Sequence, residues 1–203
     1  MSHEVWDIVD KNGNVVGQME RGSCRVPEGY YHQAVEVIPT DGKGHILLTQ
    51  RALDKRSDPG AYEFVAGSVI SGETPSAAAL RELREETGLS PYKLQRLGTS
   101  RVPGLIRYAF LAYVEDLPNA KVTLQEEETI GYQITTFDGW LECMNRGLYA
   151  ESRSITYNDA FLAAVRKAVG EAEDAPAPQA PKKPGVVKAV SGIFGFMGGG
   201  SKL

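Results

Sequence analysis

Apolar and polar residues alternate through much of the first third of this 203-residue chain, the spacing of half-buried strands. A β-hairpin is expected over 4–20, its strands at 5–10 and 15–19 joined through Asn12-Gly13, a dipeptide suited to the positive φ of a tight turn. Strands at 32–39 and 45–51 flank Asp41-Gly42-Lys43-Gly44, and a short one is expected at 62–65. The period then changes. Ala78, Ala79, Leu80 and Leu83 recur at helical spacing, so 74–88 reads as a helix with these four on its inner face. Thr74-Pro75 opens it, because proline is pre-organised for the first helical position, and Gly88 closes it. Strands at 92–98, 105–115 and 130–137 and helices at 138–147 and 155–168 complete a predicted α/β domain over residues 1–170.

The polar side of the predicted helix carries the chemistry. Glu82, Glu85 and Glu86 follow a loop punctuated by Gly67, Gly72 and Glu73. Positions i, i+3 and i+4 share one helix face, where like charges repel by a few tenths of a kcal/mol per pair. A hard divalent cation removes that repulsion, and carboxylate oxygens are the ligands Mg²⁺ prefers. A solvated helix with Arg81 and Glu85 paired at i, i+4 explains the charges but not the spaced glycines ahead of them.

The whole pattern runs Gly67, five residues, Glu73, seven residues, then Arg81-Glu82-Leu83-Arg84-Glu85-Glu86-Thr87-Gly88-Leu89. It resembles the signature of the Nudix superfamily, with seven fixed letters at the right spacing. Seven such matches arise by chance roughly once per billion starting points at average residue usage. The resemblance implies an α/β/α sandwich with a mixed β-sheet. It implies Mg²⁺-dependent hydrolysis, with Mn²⁺ as substitute, of a nucleoside diphosphate linked to another moiety. Carried over residue by residue, Glu82, Glu85, Glu86 and the carbonyl of Gly67 hold metal. Glu82 or Glu85 serves as general base, and Arg81 orients a carboxylate, with Glu73 bracing loop and helix. Glu127, in the run Gln125–Glu128, is a further acid of the kind the family draws from outside the signature. Arg51 and Arg56 are candidates for the substrate's distal phosphate or carboxylate.

Two narrower resemblances compete. The segment from Leu47 through Phe64 is similar to the one preceding the signature in coenzyme A diphosphatases, but departs at Val65-Ala66. The hairpin around Trp6-Asp7 and the Tyr31-His32-Gln33-Ala34 segment look like the isopentenyl diphosphate isomerase-like branch. Isomerases of that branch use a cysteine just after the strand holding 62–68, where this chain has none, and several histidines, of which only His32 fits a ligand position. Cys24 has no local partner to activate its thiol. A non-catalytic binding module is the remaining alternative, disfavoured because no carboxylate of the signature is missing.

Charge and composition narrow the rest. A net charge of −4 lacks the basic footprint of a nucleic-acid binder. Two cysteines far apart, Cys24 and Cys143, suggest a reducing compartment rather than a disulfide framework. No apolar run reaches ~18 residues and the N-terminus lacks a signal-peptide pattern, so a cytoplasmic protein acting on a small-molecule diphosphate is expected, with a homodimer compatible. Composition shifts at 171: Pro176, Pro178, Pro181 and Pro184 mark 171–185 as a linker. Residues 186–203 form a Gly-rich apolar segment, expected as a flexible tail that docks on a protein shell or, through Ser201-Lys202-Leu203, on a peroxisomal import receptor if the source is eukaryotic.

Overall fold

A computed structural model describes residues 4–23, 25–154 and 157–170. The linker at 171–185, the tail at 186–203 with its terminal tripeptide, and Cys24 lie outside the described residues. Among the described residues nine strands form one mixed sheet: β1 (Val5–Val9), β2 (Val15–Glu20), β3 (Tyr31–Thr40), β4 (His45–Arg51), β5 (Tyr62–Glu63), β6 (Val65–Ser68), β7 (Lys93–Val102), β8 (Gly104–Tyr113) and β9 (Thr129–Thr136). Among the described residues four α-helices accompany them: α1 (Pro75–Thr87), α2 (Phe137–Asn145), α3 (Glu151–Ser154) and α4 (Asp159–Val169). Strand β3 is central. It pairs parallel to β8 over its full length and antiparallel to β1, β4 and β6.

The period-two pattern divides two cores across this sheet. Val35 and Val37 of β3, Leu47 of β4, and Phe110 and Ala112 of β8 pack with Ala78, Ala79 and Leu83 of α1. Their neighbours Ile38, Ile46, Leu48 and Leu111 face the other way, against Trp140 of α2 and Val165 and Val169 of α4. Helices on both faces bury β3 almost continuously from Ala34 onward, so its latter half loses the polar alternation of a one-sided strand.

Three expectations shift. The single strand at 62–65 is two: Tyr62–Glu63 pairs with β4, whereas Val65–Ser68 pairs with β3, because the chain crosses between neighbours at Phe64. Leu80 is 39% exposed while Ala78, Ala79 and Leu83 are buried. The apolar arc of α1 ends at Leu83, and Glu82 and Glu86 occupy the half-buried border on its other side. The helix expected at 155–168 begins at Asp159, where the Asn158 side chain accepts a hydrogen bond from the Phe161 N–H at 2.9 Å. Among the described residues no helix is long and apolar enough to cross a membrane.

Candidate active site on the first helix

Helix α1 is set by its ends. The Thr74 hydroxyl accepts from the Ala77 N–H at 3.2 Å, and Pro75 fills the first turn. Gly88, at φ 70°, returns its N–H to the Arg84 carbonyl at 2.8 Å, a left-handed stop that disfavours side chains. With Ala78, Ala79 and Leu83 committed to the core, Glu82 and Glu86 are brought against β6. The Ala66 N–H points at Glu86 Oε1 at 3.4 Å. A Cβ at position 67 would overlap the Glu82 carboxylate, so glycine there lets helix and strand close.

Arg81 is the hub. Its Nε and Nη2 grip the two oxygens of Glu73 at 3.0 Å each, a bidentate pair, and Nη2 also donates to the Ser68 carbonyl at 2.9 Å. Nη1 reaches Glu82 Oε1 at 2.7 Å and Glu85 Oε2 at 3.1 Å. Five contacts hold the guanidinium protonated, its pKa raised chiefly by the Glu73 hydrogen bonds. Burial pushes the Glu82 carboxyl above its ordinary value, partly offset by Arg81. Glu85 is the most exposed, its side chain 47% accessible.

The N-terminal hairpin clamps the loop before the helix. Asp7 accepts from the Ser71 hydroxyl at 2.7 Å, the Gly72 N–H at 2.9 Å and the Gln18 amide at 3.1 Å. Burial alone would raise the Asp7 pKa; these three hydrogen bonds outweigh it and hold the carboxyl below its usual value. A cavity of about 540 Å³ opens above, lined by Glu4, Val5, Ile70, Ser71, Arg81, Glu85 and Gln125.

Sequence reasoning passed over Glu4, Asp7 and Gln125 as site neighbours, because only the fold carries the hairpin and the 121–128 loop to α1. The Thr123 N–H bonds the Thr87 carbonyl at 2.8 Å, fastening that loop to the helix end. Glu127, exposed at φ 71°, is in the same loop, but Gln125 is the member that lines the cavity. Arg51 is occupied elsewhere: Nη1 pairs with Glu63 at 2.5 Å and Nε and Nη2 bind the Ser57 carbonyl. Arg56 is exposed on the same loop, outside the lining of that cavity.

The donor set suits a hard cation: carboxylate oxygens from one helix face, backed by a glycine whose missing side chain lets the Glu82 carboxylate pack against β6. Among the described residues no three His, Cys, Asp or Glu side chains surround a common point. The Arg81 guanidinium lies between Glu82 and Glu85, which aim their oxygens at it.

The NUDIX domain profile matches residues 30–151, more than half of the chain. The chain belongs to the Nudix family. An isopentenyl-diphosphate Delta-isomerase of Streptomyces coelicolor is 33% identical over 172 residues, 81% of this chain and 85% of that protein. Its namesake in Streptomyces avermitilis is 41% identical over 96 residues, covering 47% of this chain and 49% of that protein. The crystal structure of DR0079 from Deinococcus radiodurans matches with a TM-score of 0.60 at 22% identity, over 72% of this chain and 92% of that one, a likeness of fold. The Nudix profile begins at residue 30, so the hairpin that clamps the α1 loop lies outside it.

Proposed function

We propose that this Nudix protein hydrolyses a diphosphate bond in a nucleoside diphosphate linked to another moiety, with Mg²⁺ or Mn²⁺ as cofactor. The observation that carries the reading is the acidic face of α1, opposed by a side-chain-free Gly67 and opening to a cavity. Glu82, Glu85, Glu86 and the Gly67 carbonyl would hold the cation. A cation there supplies charge neutralisation for the phosphate oxygens and makes a water more acidic. Glu82 and Glu85 are the carboxylates from which the acceptor of the water's proton comes. Arg81 keeps the loop and helix in register through Glu73 and the Ser68 carbonyl, so the carboxylates meet the substrate preorganised.

Isomerisation is the second reading, favoured by the names of the two Streptomyces relatives. The strand after which that branch carries its catalytic cysteine holds Tyr62–Ser68 here, and no cysteine follows it before Cys143. Cys143 is buried in the core on the opposite sheet face, where burial raises its thiol pKa. Neither arrangement provides a reactive thiolate beside α1.

One assay decides. The full chain is incubated with a panel of diphosphate compounds under phosphate detection, with Mg²⁺ and then with excess chelator, alongside isopentenyl diphosphate under product chromatography. Metal-dependent hydrolysis of a nucleotide-linked diphosphate is expected, with no dimethylallyl product. Turnover that survives the chelator sinks the metal-hydrolase reading, and dimethylallyl product at enzymatic rates puts isomerisation first.

A further inference from the structure

Glu127, the acid that the sequence offers from outside the signature, is not among the residues lining the α1 cavity. Another carboxylate is. Glu4, Glu85 and Arg81 are the charged residues of that lining. Arg81, its cationic member, is already shared among Glu73, Glu82 and Glu85.

Backbone bonds fix where Glu4 stands. Its carbonyl accepts the Arg21 N–H at 2.9 Å, and the next carbonyl, of Val5, accepts the Ser71 N–H at 2.7 Å. The Gln18 amide of β2 reaches the Ser71 hydroxyl at 2.5 Å, beside the bonds that Asp7 receives from Ser71 and Gly72. Glu4 is thus held at the cavity by the hairpin and by the loop ahead of α1. Its side chain is 31% exposed and pairs with Arg21 Nη1 at 2.9 Å. Arg21 is 62% exposed and lies outside the lining, so water screens much of what it offsets.

Burial is the main reason that the Glu82 carboxyl sits above its ordinary value, and the negative charge of Glu4 adds to that rise. The two carboxylates are close enough to repel. Like charges around one cavity cost the metal-free chain stability, and a cation bound among them returns it. A hard cation such as Mg²⁺ also keeps several of its waters. A carboxylate outside its inner set acts on it through those waters and through charge.

We infer that Glu4 is a further residue of the cation site. The hairpin supplies it to the cavity it shares with Arg81 and Glu85, where it strengthens divalent-cation binding as an outer partner of Glu82, Glu85, Glu86 and the Gly67 carbonyl. The Nudix profile begins at residue 30, so this acid is an addition to the signature and not a part of it. The assignment rests on the metal reading of α1, to which it adds a residue from another element.

Cation binding without substrate tests it on the full chain. Mn²⁺ is titrated into the parent, Glu4→Gln, Arg21→Gln and Glu28→Gln, and free Mn²⁺ is read by electron paramagnetic resonance. Glu4→Gln should weaken binding about tenfold, within the range that outer partners of a metal site command. Arg21→Gln removes the cation beside Glu4 and should tighten binding. Glu28 carries the same charge outside the lining of the α1 cavity, and Glu28→Gln should stay within twofold of the parent. In chelator, Glu4→Gln should melt no lower than the parent, and excess Mn²⁺ should raise its Tm less.

Parent-like Mn²⁺ affinity in Glu4→Gln overturns the assignment. Equal weakening in Arg21→Gln, or a lower Tm for Glu4→Gln in chelator, makes the pair a brace and overturns it too. Equal weakening in Glu28→Gln reduces the effect to overall charge, with the same consequence. Glu4-dependent Mn²⁺ binding in a chain that hydrolyses no diphosphate removes the hydrolase reading alone. Metal-dependent hydrolysis with unchanged Mn²⁺ affinity in Glu4→Gln removes this assignment alone.

Discussion

Two glutamates withdrawn from solvent, one on each face of the same sheet, do opposite jobs. Glu36 of β3 is 1% exposed. Its Oε1 accepts from the Tyr157 hydroxyl at 2.5 Å; that hydroxyl meets Tyr149 at 2.8 Å, and the Tyr149 oxygen accepts from the Phe64 N–H at 3.2 Å. Trp140 and Phe161 pack against these rings, and burial first of all raises both tyrosine pKa values. The chain of donors ends inside the core and ties α4 and the α2–α3 connection to β3. Glu82 instead meets a guanidinium shared with Glu73 and Glu85, and that guanidinium and Glu85 line a cavity. A buried carboxylate closed by tyrosines is a strut. One that shares a cation at a cavity mouth is chemically available.

Substitutions sharpen that contrast. The largest effect is expected from Glu86→Gln, which keeps the shape of α1 but removes an anionic oxygen. Turnover with Mg²⁺ should fall on the order of 100-fold or more, since even outer partners of a metal site are worth about 10–100-fold. Thermal unfolding should move little. Gly67→Ala comes next. The new methyl meets the Glu82 carboxylate, so we expect a loss of roughly tenfold or more in turnover, with a folded chain by circular dichroism. Ordinary activity in that variant breaks the link between Gly67 and the site.

On the opposite face the readout should reverse. Tyr157→Phe removes a hydroxyl from the Glu36 network and should cost about 1–3 kcal/mol of stability, measured by denaturant unfolding, with turnover unchanged within twofold. A large kinetic effect there would erase the distinction between strut and site.

The smallest effect concerns pH. Burial, helped by Arg21, holds the His32 pKa below its ordinary value, against a hydrogen-bonding contribution at Gln33 that raises it. The folded state therefore favours neutral His32. Its stability contribution is present above the unfolded pKa and is lost as pH falls through the folded one. One such group changes stability by at most about 1.4 kcal/mol per pH unit. His32→Phe keeps an aromatic ring beside Trp6 and should flatten the acid limb of the stability curve relative to the parent chain. Parallel acid limbs would show that His32 does not titrate on folding.

Much of this was legible in the chain because the information is local. Thr74-Pro75 and Gly88 bound α1 where their backbone preferences put them, and the spacing of Gly67, Glu73 and Arg81–Glu86 reads as one unit. The misses were non-local. Leu80 reads as core by type and spacing, yet the arc that meets the sheet ends at Leu83. The surroundings of Arg51 are non-local too: its guanidinium pairs with Glu63, twelve residues away and one strand over.

The sequence by itself determined the family signature, the helix that carries the carboxylates and the alternation that builds a two-faced sheet, because each follows from spacing within about twenty residues. Only the tertiary structure decided that Asp7 clamps the loop before α1 and that Gln125 reaches the cavity. It also decided that Arg81 divides itself among Glu73, Glu82, Glu85 and the Ser68 carbonyl, and that Glu36 ends a tyrosine relay. Those outcomes depend on which strands lie side by side: Asp7 and Gly72 are 65 residues apart, Tyr157 and Glu36 are 121. Chain entropy keeps such pairs apart until the sheet has formed.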